Sequence, residues 1–174
     1  MNENWPPSVI NQPQPQGFEF FSFRRTYKLA YSPRQVADWL NRPETFTKGQ
    51  IPPFRVEFVS KAPEIEKPGF HEGNYTNHHG PFLNANGILT RIDHLHYRDL
   101  RYFYGSYVLS FRLIRPTRLQ FWIEEGQPKT KLILQLDSFV RPWFQAFYHF
   151  GLRIFFKSFE DMAKSGIRKM LKES

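Results

Sequence analysis

A chain of 174 residues suits one domain and can bury a core without disulfide or metal staples. It contains no cysteine, which excludes disulfides, thiolate catalysis and Cys-ligated zinc. The net charge is +8, but the basic residues alternate along predicted strands and form no run, as on a solvated outer sheet face.

The chain opens on Met1-Asn2-Glu3-Asn4, with no basic run and no apolar stretch behind it. Residues 1–17 hold Pro6, Pro7, Pro13 and Pro15 among Asn and Gln. They read as an extended or disordered arm, which Trp5 and Ile10 could pin to the body. From Phe18 the pattern has period two. Phe21, Phe23, Tyr27 and Leu29 share a face, with Arg25 the exception among them. This predicts a long half-buried strand. Ser32-Pro33 supplies an N-cap and a first-turn proline, and Val36, Trp39 and Leu40 follow at helical spacing, so 32–41 reads as a short amphipathic helix. Pro43 begins a second short helix through Phe46 and Thr47.

Six further strands are predicted. The first of them alternates Phe54, Val56 and Phe58 with Arg55 and Glu57. The others fall near 70–79, 86–96 and 101–111, then around Leu119, Phe121 and Ile123, and around Leu132, Leu134 and Leu136. On the strand near 86–96, Ile88, Thr90, Ile92, His94 and His96 share one face; Pro116 is expected to break the strand before it. No helix separates these strands, so the sheet is an antiparallel meander. Pro142 then starts the longest helix, to about Leu171. At about 100° per residue, Trp143, Phe147, Phe150 and Ile154 point one way, with Phe144, Tyr148, Phe155, Phe159 and Met162 beside them. That arc is wider than a surface helix needs. The fold class is therefore α+β.

The order of elements, and the stretch Tyr27-Lys28-Leu29-Ala30-Tyr31-Ser32-Pro33-Arg34-Gln35-Val36-Ala37-Asp38-Trp39-Leu40 in particular, resembles the opening of START-like (SRPBCC) proteins. Asn41-Arg42-Pro43-Glu44-Thr45 resembles the turn between their two short helices. The resemblance implies a helix-grip fold: a seven-stranded curved antiparallel sheet around the long C-terminal helix, with two short helices after the first strand. Residues 18–174 would be the ligand-binding domain. The plant-allergen branch carries a glycine-rich loop where this chain has the proline- and charge-rich 61–69, so the resemblance is to a bacterial-type branch without assigned function. It implies a cavity for lipids, quinones or polyketides, and the fold names that ligand class without naming a reaction.

Phenylalanine alone occurs 19 times and 18% of residues are aromatic, more ring surface than a core of this size needs. The surplus must line a cavity, face a partner or touch a membrane. The expected cavity wall is Phe58, Tyr75, Ile92, His94, Tyr104, Phe121 and Leu134, lidded by Phe147 and Phe155. His94 would be the polar group inside an apolar pocket. In an enzyme of the cyclase or dehydratase type, His94 and Tyr104 would supply acid–base chemistry. His94 and His96 have a workable metal-ligand spacing, but no carboxylate shares their face, so no metal is expected. Nucleotide fingerprints and nucleophile elbows are absent, and no cofactor is expected.

Phe103, Tyr104, Phe111, Arg112, Arg115 and Arg118 could make a single-strand nucleic-acid patch. The same residues are expected on alternate sheet faces, so no nucleic-acid partner is expected. The basic last turns of the long helix, with Lys164, Arg168, Lys169 and Lys172, suit the helix dipole. Together with the aromatic arc they also suit peripheral membrane contact, and an oligomer built on the helix is the other outlet. No window approaches the roughly 18–20 apolar residues of a membrane span, and the expected location is cytoplasmic.

Overall fold

A computed structural model describes residues 11–47, 55–60, 69–80, 84–105, 113–126 and 129–173. Among these residues the elements run β1 (Glu19–Leu29), α1 (Pro33–Asn41), α2 (Pro43–Thr47), β2 (Arg55–Val59), β3 (Tyr75–His79), β4 (Ala85–Asp93), β5 (Tyr97–Gly105), β6 (Ile114–Glu124), β7 (Thr130–Val140) and α3 (Gln145–Lys172), the last entered through a 3-10 turn at Pro142–Phe144. The strands form one antiparallel sheet in the order β1-β7-β6-β5-β4-β3-β2. This is the seven-stranded sheet, long helix and pair of short helices that the sequence predicts. Trp5, Ile10, Phe54, Phe111 and the loop 61–68 lie outside the described residues.

The local chemistry explains each boundary. Ser32 Oγ accepts from the Gln35 backbone N–H and the Gln35 side chain accepts from the Ser32 N–H, a capping box that fixes the start of α1. The apolar face of α1 buries Val36, Ala37, Trp39 and Leu40. Its C-terminus is held by Arg98 from β5, which donates to the Leu40 carbonyl at 2.9 Å and to Asn41 Oδ1 at 2.6 Å while stacking on Phe70. Burial pushes the Arg98 pKa down to about 9, which still leaves it charged at neutral pH. A cation there complements the helix C-terminal dipole.

Phe23, Tyr27 and Leu29 of β1 join the core, with Phe21 packed against it. Arg25, the exception on that face, reaches the long helix instead: it donates to the Arg153 carbonyl at 3.1 Å and lies 3.8 Å from Glu160. On the opposite sheet face the buried Asp99 collects Arg118 at 2.7 Å, Arg101 at 3.5 Å and the Thr90 hydroxyl at 2.8 Å. Alternating charge along the strands thus resolves into a polar network on the sheet's outer side.

Two expected strand limits are corrected. The fourth strand ends at Asp93 and not His96, because the Asp93 carboxylate accepts from the Leu95 and His96 N–H groups and closes a turn over residues 94–96. The same bonds hold the Asp93 pKa below the usual range. Pro116 lies inside β6 and breaks nothing, because it sits beside a register slip between Pro116 and Arg118 and beyond the last pair with β5, Arg101–Arg118, where one side of the strand is free of ladder bonds. Its carbonyl, with that of Tyr102 on β5, accepts from the Gln12 side-chain amide at 2.8 and 2.6 Å. Gln12 fills the fork where β5 and β6 part company beyond the Arg101–Arg118 pair.

Candidate functional site

Between the concave sheet face and the N-terminal half of α3 lies a cavity of about 440 Å³. That volume falls in the range of small-molecule sites. Leu119 and Phe121 from β6 and Leu134 and Leu136 from β7 form its floor. These side chains point inward because alternate residues of a strand share a face. The roof is α3, through Phe144, Phe147, Tyr148, Leu152, Phe155 and Phe156. Phe46 of α2 and Met162 of α3 close the sides, and Phe159 ends the cavity by packing its ring near those of Tyr27, Trp39 and Phe121. Gly151 also lines the cavity; it is exposed, and a Cβ there would meet nothing within 4 Å, which marks the mouth.

Among the described residues few polar groups reach this space. Tyr148 and Ser138 are buried and their hydroxyls are 3.0 Å apart. Burial pushes the Tyr148 phenol up to about 12, so it stays protonated. Tyr102 is buried on the inward face of β5 with its ring 5.5 Å from that of His78. His78, on β3, is the titratable group most altered by the cavity. Its ring is enclosed by protein yet keeps accessible surface, because what it faces is the cavity itself. Burial first and the neighbouring His79 second pull its pKa down to about 4. At neutral pH it is an uncharged imidazole that can donate one hydrogen bond and accept another. Arg55 and His79 stand at the rim, His79 bonded to Glu57 at 3.0 Å.

The structure brings Phe121, Leu134, Phe147 and Phe155 of the expected wall together around this cavity. It places the others elsewhere. Phe58 faces inward but spends its ring on Phe70, 4.6 Å away. Tyr75 is exposed on the other side of the sheet, where its ring meets Phe103 at 6.0 Å; Thr76 and His78 take the inward positions of β3. Ile92 packs against the core without reaching the cavity.

His94 is exposed in the β4–β5 turn, where its carbonyl accepts from Asn41 at 2.7 Å. The cause is the turn that the Asp93 carboxylate closes, which ends β4 before residue 94. β4 is irregular at Asn86/Gly87 and again at Leu89/Arg91, so residues 88 to 96 do not keep one alternation. Leu89 joins the core in place of Ile88, and Thr90 turns outward to Asp99. The backbone of Tyr104 pairs with Asn86, and its side chain lies outside the described residues. Of the aromatic–basic set weighed against nucleic acid, Phe111 and Arg112 lie outside them too, while Arg118 is tied to Asp99.

Sequence reasoning missed His78, Tyr102 and Tyr148 as cavity residues. Tyr102 and Tyr148 carried the signal, the first in a tyrosine-rich strand and the second on the helix's aromatic arc. The adjacent pair His78-His79 gave no clue to which ring would turn inward.

No protein-family model and no curated protein sequence matches this chain. Solved structures do. Ara h 8.0201 superposes with a TM-score of 0.60 at 12% identity, over 87% of this chain and 99% of its own. Protein MLL2253 from Mesorhizobium loti does so with a TM-score of 0.62 at 10% identity, over 86% and 98%. Norcoclaurine synthase from Thalictrum flavum, in complex with dopamine and hydroxybenzaldehyde, gives 0.58 at 12% identity, over 90% and 89%. At such identities the likeness is one of backbone architecture. Curved sheet, paired short helices and gripping helix together give this chain a helix-grip fold, the architecture it shares with these solved structures.

Proposed function

We propose that the chain binds an apolar small molecule in the cavity beneath α3, with residues 18–174 as one ligand-binding domain. A lipid, quinone or polyketide-like ring system is the class the cavity suits. The observation that carries the reading is an apolar cavity of about 440 Å³ with neutral hydrogen-bonding groups, His78 and Tyr102, along one wall. An apolar body would be taken up by the rings and aliphatic side chains. A single carbonyl or hydroxyl would be oriented by His78. Among the described residues the wall offers a charged ligand no buried counter-ion, since Arg55 is exposed at the rim.

Native mass spectrometry of freshly purified protein tests this. The expected result is a reproducible extra mass that disappears on denaturation, or uptake of added fatty acids or quinones. Gly151→Trp, which puts an indole into the open mouth, should lower that uptake about tenfold or more with the fold retained. Protein that is always ligand-free and takes up none of these would overturn the proposal.

A second reading, an acid–base enzyme of the cyclase or dehydratase kind, has to move from His94 to His78. It draws support from norcoclaurine synthase, a fold neighbour solved in complex with dopamine and hydroxybenzaldehyde. With a pKa of about 4, His78 is a weak base and suits hydrogen bonding better than proton abstraction. The enzyme reading requires His78→Ala to abolish turnover of a bound candidate substrate with binding kept; equal losses in both favour a binder.

A further inference from the structure

Four large side chains on α3 and the turn before it have no cover. Trp143, Phe147, Phe150 and Ile154 are 68%, 71%, 66% and 56% exposed. Their spacing of four, three and four places them within roughly 60° of one another on the helix. The stripe adjoins the cavity mouth, because Phe147 also lines the cavity and Gly151 lies beside it.

We propose that this stripe seats the cavity mouth on the surface of an anionic lipid bilayer. The first argument is charge. Between Arg141 and Lys157 the sequence carries Arg141, Arg153 and Lys157 and no Asp or Glu. Arg153, Lys157 and Arg168 are exposed along one side of the stripe, and among the described residues none of the three is ion-paired. Lys164 is paired with Glu160 and Lys169 with Glu173. An apolar stripe flanked by unpaired cations is the pattern of a helix lying in the headgroup plane. An exposed Trp at its end suits the same interface. No helix among the described residues is long and apolar enough to cross a membrane, so the contact would be superficial.

The second argument is area. Three aromatics and one isoleucine at these exposures offer roughly 500 Å² of apolar surface, the size of the largest patch on a typical monomer, which is often functional. It also matches the apolar share of an interface of roughly 800 Å² per partner, so charge and not area separates a bilayer from a second copy. A symmetric dimer on this stripe would bring Arg141, Arg153 and Lys157 of both copies to one interface, with no carboxylate between Arg141 and Lys157 to relieve them.

Docking in this pose turns the mouth at Gly151 towards the bilayer, so an apolar ligand could pass between membrane and cavity without crossing bulk water. The contact itself does not depend on what the cavity holds, and its test uses ligand-free vesicles.

The experiment is co-sedimentation of the full chain with vesicles of phosphatidylserine and phosphatidylcholine, against pure phosphatidylcholine, at low and high salt. Binding should be at least tenfold stronger on the anionic vesicles and fall at least severalfold at high salt. Trp143→Ser/Phe150→Ser should reduce it about tenfold or more, and Arg153→Gln/Lys157→Gln should remove most of the preference for phosphatidylserine. Circular dichroism should show both variants folded. No sedimentation at low salt, or binding that the Trp143→Ser/Phe150→Ser variant leaves unchanged, would overturn the proposal. A concentration-dependent dimer that Phe150→Ser dissolves, without vesicle binding, would overturn it in favour of a second copy of the chain.

Discussion

A Cβ on Gly166 would run into the indole of Trp39, whereas a Cβ on Gly151, earlier in the same helix, would meet nothing within 4 Å. The two halves of α3 differ in the same sense. In the C-terminal half Ala163 and Ile167 are fully buried, and the chain approaches α1 so closely that only glycine fits against Trp39. In the N-terminal half the side chains are larger, yet a cavity of about 440 Å³ remains beneath them and four apolar groups stay in solvent. Cavity space is therefore found where the helix is not held against α1, in spite of the bulk of its residues there. One end of α3 is an anchor, where Ala163 and Gly166 allow close approach and Ile167 and Met170 are buried. The other is a roof made of rings, some facing the cavity and some facing away.

Phe159 sits where anchor becomes roof. It is buried and its ring lies within 6.2 Å of three others, Tyr27, Trp39 and Phe121. Phe159→Ala should give the largest effect, a loss of about 3–5 kcal/mol of stability in urea unfolding. If α3 is anchored as described, the variant should also release the roof, and any co-purified ligand should be lost. A loss below about 1 kcal/mol would mean that the two halves are not mechanically distinct.

The roof half should be the more sensitive to acid, because His78 faces its cavity. Its pKa lies at about 4 in the fold against 6.5 for an ordinary histidine. Below 6.5 the unfolded chain therefore binds a proton that the folded chain refuses. The contribution is complete above pH 6.5 and is lost as pH falls towards 4. The slope is at most about 1.4 kcal/mol per pH unit, reduced by water that enters through the mouth. Urea unfolding at pH 7 and 4.5 should show the decline, and His78→Gln should flatten it. A filled cavity should steepen it by excluding that water. A wild-type slope equal to that of His78→Gln would take the imidazole out of the cavity.

Most of the architecture is legible in the sequence, because capping residues and periodicity act locally. Ser32-Pro33 starts α1 and the alternation of Phe121 with Ile123 and Leu132 with Leu134 fixes the faces of β6 and β7, where pairing runs without a slip through these residues. The roof was legible too, since one helix of constant pitch places Phe147 and Phe155 together. The far wall was not. Facing in β4 depends on two register irregularities, and facing in β3 follows from its pairing with that same strand. Each slip moves a residue to the opposite face. His94 lies beyond the strand altogether, in the turn that Asp93 closes, while His78 takes an inward position on β3.

The finest test of the comparison is the same substitution made at both glycines. Alanine is favoured over glycine in a helix interior by roughly 1 kcal/mol. At Gly151 nothing opposes that preference, because the added methyl enters open space. Gly151→Ala should therefore stabilise the protein by up to about 1 kcal/mol and leave ligand uptake nearly unchanged, since a methyl does not fill the mouth. At Gly166 the methyl must displace the Trp39 ring, which is itself packed edge-on against Phe159. Overpacking of that kind costs about 1–3 kcal/mol and outweighs the gain in propensity. Gly166→Ala should therefore be destabilising overall, by about 1 kcal/mol, with Trp39 fluorescence perturbed in the native state. Opposite signs from one change on one helix would follow from an anchored end and a raised end. Equal signs would mean that α3 shifts as a unit to absorb the methyl, and that the cavity opens and closes with it.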